Sequence, residues 1–237
     1  MTRRLFAELL GTAGLLLAVV GSGITAAAGG AASAQLFQHA TAVGVALSVL
    51  IVTLGPVSGA HLNPVVTIVD TLFGGMSART AAAYVVAQFT GAIIGVVGAN
   101  LLFGLPVVEI AATQRAGAAL AASEAVATFG LLVVIFGLVR SGRTGAAPAA
   151  VGAWIAGAIY FTPSASFANP AVTVARALTD TYTGIAPAGV PMFVLAQLGG
   201  AALAAGAVAV LFRPDRATAN DVVLPHALTH DEVKKSP

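Results

Sequence analysis

Long apolar runs, separated by short polar segments, dominate this chain from its first residues to about position 212. Between Glu8 and Asp70 there is no Asp, Glu, Lys or Arg at all. A helix that crosses a bilayer needs roughly 20 largely apolar residues. Six segments meet that requirement, at 5–28, 37–57, 80–104, 118–140, 147–162 and 188–212. Two more, near 63–73 and 169–179, are too short to cross. The pattern predicts an all-α membrane protein with six spanning helices and two short re-entrant ones.

The segments repeat. Ala7 to Leu16 matches Ser123 to Leu132, aligning Glu8 with Glu124 at an offset of 116 residues. Ser58 to Thr67 matches Ser164 to Thr173, aligning Asn63-Pro64 with Asn169-Pro170 at an offset of 106. Ala87 to Ala92 matches Ala196 to Ala201, aligning Gln88 with Gln197 at an offset of 109. Three matches in one order and nearly one register define two repeats, 1–106 and 116–212, within one membrane domain 1–212, followed by a polar tail 213–237. Each repeat crosses three times, so the second enters from the opposite side. Inverted repeats of this kind place the functional site at their interface, near the midplane.

Composition sharpens the picture. Only 8% of the residues are charged and 58% are hydrophobic, whereas a soluble domain carries about 25% charged residues. A water-facing surface cannot be built from that inventory. With the N-terminus in the cytoplasm, Arg3, Arg4, Arg79, Arg140, Arg143, Arg213, Arg216, Lys234 and Lys235 all fall inside, and Arg115 and Arg176 fall outside. Nine of the 11 basic residues then obey the positive-inside rule. Both termini are therefore expected in the cytoplasm of a cell with this protein in its inner (plasma) membrane. The basic residues reflect topology rather than a nucleic-acid surface, and the lack of Cys excludes disulfides and thiolate metal sites. Arg3 and Arg4 before an apolar run, with Ala32-Ser33-Ala34 behind it, also fit a cleavable leader. The stretch from Leu9 to Ala34 is long for that, and Glu8 has a repeat partner, so a retained first helix is the expectation.

Asn63-Pro64 and Asn169-Pro170 carry the chemistry. Asn is a favoured helix N-cap, and Pro suits the first helical position, where no amide hydrogen is needed. Each pair announces a helix that starts within the membrane. Such broken backbone is tolerated only where protein buries it or water bathes it. Two inverted copies bring two helix N-termini together, each behaving like about half a positive charge. The potential repels cations. The two Asn amides can orient a passing water or polyol and so interrupt a proton wire.

With those motifs in view, the chain resembles the major intrinsic protein family, the aquaporins and aquaglyceroporins, over nearly its whole length. Ser58 to Val65, Asn169-Pro170-Ala171, Glu8, Glu124, Gln88 and Gln197 carry the resemblance. It implies a right-handed bundle of six helices and two half-helices, assembled as a homotetramer with one pore per subunit in the lipid bilayer. The first signature ends in Val65 where the family usually has Ala. A second departure bears on selectivity: the position after Asn169-Pro170-Ala171, Arg in water-selective members, is Val172. The family pattern puts Val43, Gly157 and Ser166 at the other filter positions, giving a wide, largely apolar ring with one hydroxyl. Pore diameter and lining donors decide selectivity, so small uncharged solutes are expected to pass: glycerol-like polyols, urea, neutral metalloid hydroxides such as arsenite, and water. Asn-Pro-Ala followed by Val is similar to bacterial aquaporins associated with arsenic resistance.

Other residues admit two readings. Arg176, four residues beyond Val172, either lines the outer vestibule and attracts oxyanions or forms an exposed ion pair with Asp180; the ion pair is the expectation. Glu8 and Glu124 either carry protons or accept hydrogen bonds from the loops before the short helices; their symmetry favours the second role. His61 either gates by protonation or packs, neutral, at the cytoplasmic entrance, the latter being expected. Gln88 and Gln197 read as interhelical hydrogen-bond partners. A passive channel leads; a water-dominant pore, a proton-coupled transporter and a junction-forming protein are the alternatives. No paired-carboxylate site, metal-ligand spacing or phosphate loop indicates an enzyme, a metal or a cofactor.

Overall fold

The computed structural model describes residues 1–212. Eight α-helices follow one another: α1 (Thr2–Ala27), α2 (Ala32–Ser58), α3 (Pro64–Leu72), α4 (Ala78–Leu102), α5 (Ala118–Arg140), α6 (Ala147–Phe161), α7 (Pro170–Ala175) and α8 (Val190–Leu211). There is no strand among the described residues. Six segments are long and apolar enough to cross a membrane, α6 together with the 3₁₀ turn Thr144–Ala146 before it, and α3 and α7 are the two short helices. Arg213, Arg216, Lys234, Lys235 and the tail assigned to 213–237 lie outside the described residues.

The short helices begin where the Asn-Pro pairs stand because the side chains cap them. Asn63 sits in extended backbone, and its Oδ1 accepts the Val65 amide at 3.1 Å. Asn169 does the same for Ala171 and Val172, at 3.0 and 3.3 Å. The second short helix is shorter than the predicted 169–179. It ends at Ala175, tightens into a 3₁₀ turn over Arg176–Leu178, and goes extended at Thr179. Ala32-Ser33-Ala34 forms the first turn of α2, which starts five residues before the predicted boundary.

Packing repeats the internal symmetry. Helix α1 lies along α4 and α5 along α8, while α2 meets α6 across the middle. A Cβ on Gly91 would strike the carbonyl oxygen of Leu9, and a Cβ on Gly200 would strike that of Ala125. These glycines are repeat equivalents, and each allows two backbones to touch. Gly44 and Gly152 allow the same at the α2–α6 crossing, each facing the other's carbonyl oxygen. In lipid, where apolar side chains gain little by leaving their solvent, close small-residue contact is a main source of helix association. Phe6, Leu10, Val45, Val49, Val52, Leu195, Leu203 and Val210 remain exposed, as a lipid-facing belt requires.

Candidate functional site

The two loops before α3 and α7 are the irregular heart of the protein. Ala60 and Leu62 in the first loop, and Ala165, Ser166 and Ala168 in the second, have φ between 47° and 59°. That left-handed region costs a non-Gly residue roughly 1–3 kcal/mol. A carboxylate holds each loop in place. Glu8 accepts from Ser58 Oγ at 2.6 Å, from the His61 and Leu62 amides at 3.0 and 2.8 Å, and from Gln88 Nε2 at 2.8 Å. Glu124 accepts from the Phe167 and Ala168 amides, both at 2.9 Å, and from Gln197 Nε2 at 2.7 Å. Gln88 and Gln197 each also donate to a threonine of the adjoining short helix, Thr67 and Thr173, at 2.9 and 2.8 Å. These threonines close each network and were not singled out from the sequence, although both stand in the matched stretches.

The loops deliver the two asparagines to one point. Asn63 Nδ2 donates to the Ala168 carbonyl at 2.8 Å, and Asn169 Nδ2 donates to the Leu62 carbonyl at 2.8 Å. Each amide thus spends one hydrogen on the opposite loop. An amide nitrogen carries two, which leaves the second free to point elsewhere. Both asparagines line a narrow cavity of about 60 Å³. Its apolar wall includes Val43, Leu47 and Ile51 of α2 and Val151, Ile155 and Ile159 of α6, spaced four residues apart on one face of each helix.

A scan for known families matches the major intrinsic protein family over residues 1–166. The chain belongs to the major intrinsic protein family. The aquaglyceroporin AqpS of Rhizobium meliloti is 47% identical over 217 residues, covering 91% of this chain and 93% of that protein. A probable aquaporin, AqpM of Archaeoglobus fulgidus, is 34% identical over 164 residues, 63% of this chain and 65% of the relative. The aquaglyceroporin from Plasmodium falciparum has the same fold, with a TM-score of 0.69 at 21% identity over 86% of this chain and 94% of that one.

Within this major intrinsic protein, Val43, Ser166 and Val172 line the narrow cavity. Ser166 Oγ is buried and has no protein partner among the described residues. Gly157 is not among the lining residues and corrects the expectation: it stands two positions from both Ile155 and Ile159, roughly on the opposite side of a helix with 3.6 residues per turn. A Cβ there would meet the Phe161 ring at 3.7 Å. The ion pair expected of Arg176 also fails. The extended backbone at Thr179 breaks the helical register between Arg176 and Asp180, and Asp180 accepts instead from the Ala112 amide at 2.9 Å. Arg176 is 3% exposed, lies 3.3 Å over the Phe167 ring and donates through Nε to the Thr183 carbonyl. It lines the cavity, as does His39, a residue the sequence reading passed over.

His61 lines the cavity as well. Its Nδ1 lies 3.0 Å from Thr67 Oγ1, its ring stacks on Tyr84 with centroids 5.4 Å apart, and Nε2 lies 4.0 Å from Asp70. Arg115, in the segment between α4 and α5, donates to the carbonyls of Gly184 and Tyr182 at 2.9 and 3.2 Å. Burial pulls its pKa below the ordinary arginine value, with Tyr182 and Glu124 acting in the opposite sense. No group of three or more His, Asp or Glu suited to a metal occurs among the described residues.

Proposed function

We propose that this protein is a passive channel for small uncharged solutes, including glycerol-like polyols, urea, water and neutral metalloid hydroxides such as arsenite. One observation carries the reading: the reciprocal Asn63–Ala168 and Asn169–Leu62 hydrogen bonds, which seat two helix N-termini against each other beside a lined cavity. The amide hydrogens left over can donate to a passing oxygen, and the helix ends oppose cations. Val65 and Ala171, next to Pro64 and Pro170, are fully buried behind the asparagines, so the Val65 departure does not itself enter the lumen.

Val43, Ser166 and Val172 act as an apolar filter with one unsatisfied hydroxyl, which admits solutes bulkier than water. The name of the AqpS relative, an aquaglyceroporin, accords with that breadth. Glu8, Glu124, Gln88 and Gln197 serve the loops rather than a proton path, because both carboxylates are occupied by loop amides and glutamine donors. His61 forms part of the wall at the other end of the lumen. Residues 1–106 and 116–212 act as the two inverted halves of one domain, with 213–237 as a tail. The chain works without a cofactor, as a homotetramer in the inner membrane with both termini in the cytoplasm, and catalyses no reaction.

Uptake into proteoliposomes tests the solute class. Glycerol, urea and arsenite at neutral pH are each expected to equilibrate faster than in protein-free vesicles. Arsenite entry no faster than in empty vesicles, with glycerol still fast, removes the metalloid from the substrate class.

A further inference from the structure

Beyond α7 the lumen opens into a wider vestibule of about 460 Å³. Four residues line both spaces, His39, Ile159, Ala165 and Arg176, and so mark the throat between them. The charge of the vestibule is one-sided. Arg115 and Arg176 both line it, and among the described residues no Asp or Glu does. The two guanidinium groups share one aromatic ring, at 3.3 Å for Arg176 and 5.3 Å for Arg115 from the Phe167 centroid. Their protein partners are the Thr183 carbonyl for Arg176 and the Gly184 and Tyr182 carbonyls for Arg115, none of them charged. Glu124 opposes their charge through space, but no acid forms an ion pair with either among the described residues. Glu124 is taken up by the Phe167 and Ala168 amides and Gln197, and Asp180 by the Ala112 amide.

We propose that this vestibule is a binding site for a small oxyanion, held between Arg115 and Arg176, which occludes the throat without permeating. A guanidinium offers several N–H donors in a fixed fork, and three carbonyl contacts leave most of those on the two arginines unspent. Paired donors suit two oxygens of one anion, in bonds stronger than those between neutral groups. An anion there also relieves the repulsion between two like charges crowded on one ring. His39 forms a fixed wall beside them, its Nδ1 at 2.8 Å from Ser22 Oγ and its ring edge-on to Tyr182. Past the throat the walls are mostly apolar, with Val43, Ile155 and Val172 around the single Ser166 hydroxyl. An ion would have to shed its water against apolar side chains, at a cost those walls do not return. It stops at the throat.

The proposal rests on the channel reading of the lumen, and two measurements separate their failures. Glycerol flux is measured in proteoliposomes prepared in sodium methanesulfonate, a permanently charged oxyanion, and in sodium chloride at equal ionic strength. Methanesulfonate is expected to slow the flux in a saturable way. Arg115 lines the vestibule but not the narrow lumen, so Arg115→Met is expected to keep the flux in chloride and to need roughly tenfold more methanesulfonate for the same block. Arg176→Met is expected to weaken the block at least as much. Calorimetric titration of the detergent-solubilised protein with methanesulfonate gives the same ranking without reference to flux. Equal glycerol flux in the two salts, or block unchanged in Arg115→Met, overturns the proposal. Flux no greater than in empty vesicles overturns the channel reading instead, and calorimetry then still decides the oxyanion site, absence of heat sinking it.

Discussion

Replacing Glu124 by Leu is expected to remove most of the folded protein rather than to tune its transport. The Glu124 carboxylate is fully buried and is the acceptor for the Phe167 and Ala168 amides. Each buried donor left unpaired costs about 1–3 kcal/mol, so the two amides alone amount to roughly 2–6 kcal/mol. Native proteins have only about 5–15 kcal/mol in reserve. The same loop already carries Ala165, Ser166 and Ala168 in left-handed backbone, which other contacts must hold. Glu124→Gln is expected to be milder, since its amide oxygen still accepts one loop hydrogen while its NH₂ group opposes the other. Size-exclusion profiles and melting temperatures in detergent report both variants. Native-like yield and melting temperature for Glu124→Leu would show that the carboxylate does not hold the loop. Glu8, with Ser58, His61, Leu62 and Gln88 around it, is expected to behave in parallel.

Val172→Arg is expected to convert a broad solute range into a narrow one. Val172 is buried, lines the narrow cavity, and lies one helical turn before Arg176, whose amide donates to the Val172 carbonyl. A guanidinium placed there enters a space of about 60 Å³ and adds a second fixed charge close to the first. Crowding then acts mostly on the bulkier solutes. Glycerol and arsenite fluxes are expected to fall tenfold or more, which corresponds to a barrier raised by about 1.4 kcal/mol or more. Water, the smallest of the panel, is expected to lose far less. Val172→Ala, which adds no bulk, is expected to keep the native order of solutes. Stopped-flow light scattering on one vesicle preparation compares them all. An equal loss for every solute, water included, argues that Val172 is not at the selective point.

Much of this architecture was legible in the residues because repetition made weak signals strong. A single Asn-Pro is an ordinary cap. Two, each matched by a Glu and a Gln in register, define the inverted pair of short helices from the sequence alone. The structural use of Glu8 and Glu124 followed from the same symmetry. What escaped was local geometry. The end of α7 at Ala175 depends on a switch to 3₁₀ and extended backbone that no periodicity announces, and it turns Arg176 from an expected surface ion pair into a wall of the lumen. Gly157 was placed by counting along a family pattern, whereas the side chains of Val151, Ile155 and Ile159 determine which face of α6 looks inward. His39 carried no motif. Its part at the throat comes from lying one turn beyond Val43 on the same face of α2, a relation that the Val172–Arg176 spacing repeats across the C-terminal end of α7.

The measurement that bears most directly on two opposed short helices forming a conducting passage is the driving-force dependence of glycerol flux in proteoliposomes. A pore of this construction predicts flux that rises in proportion to the glycerol gradient, shows no saturation, and is indifferent to a proton ionophore. Flux that saturates and collapses when the proton gradient is dissipated contradicts it, as does a rate no higher than that of bare lipid.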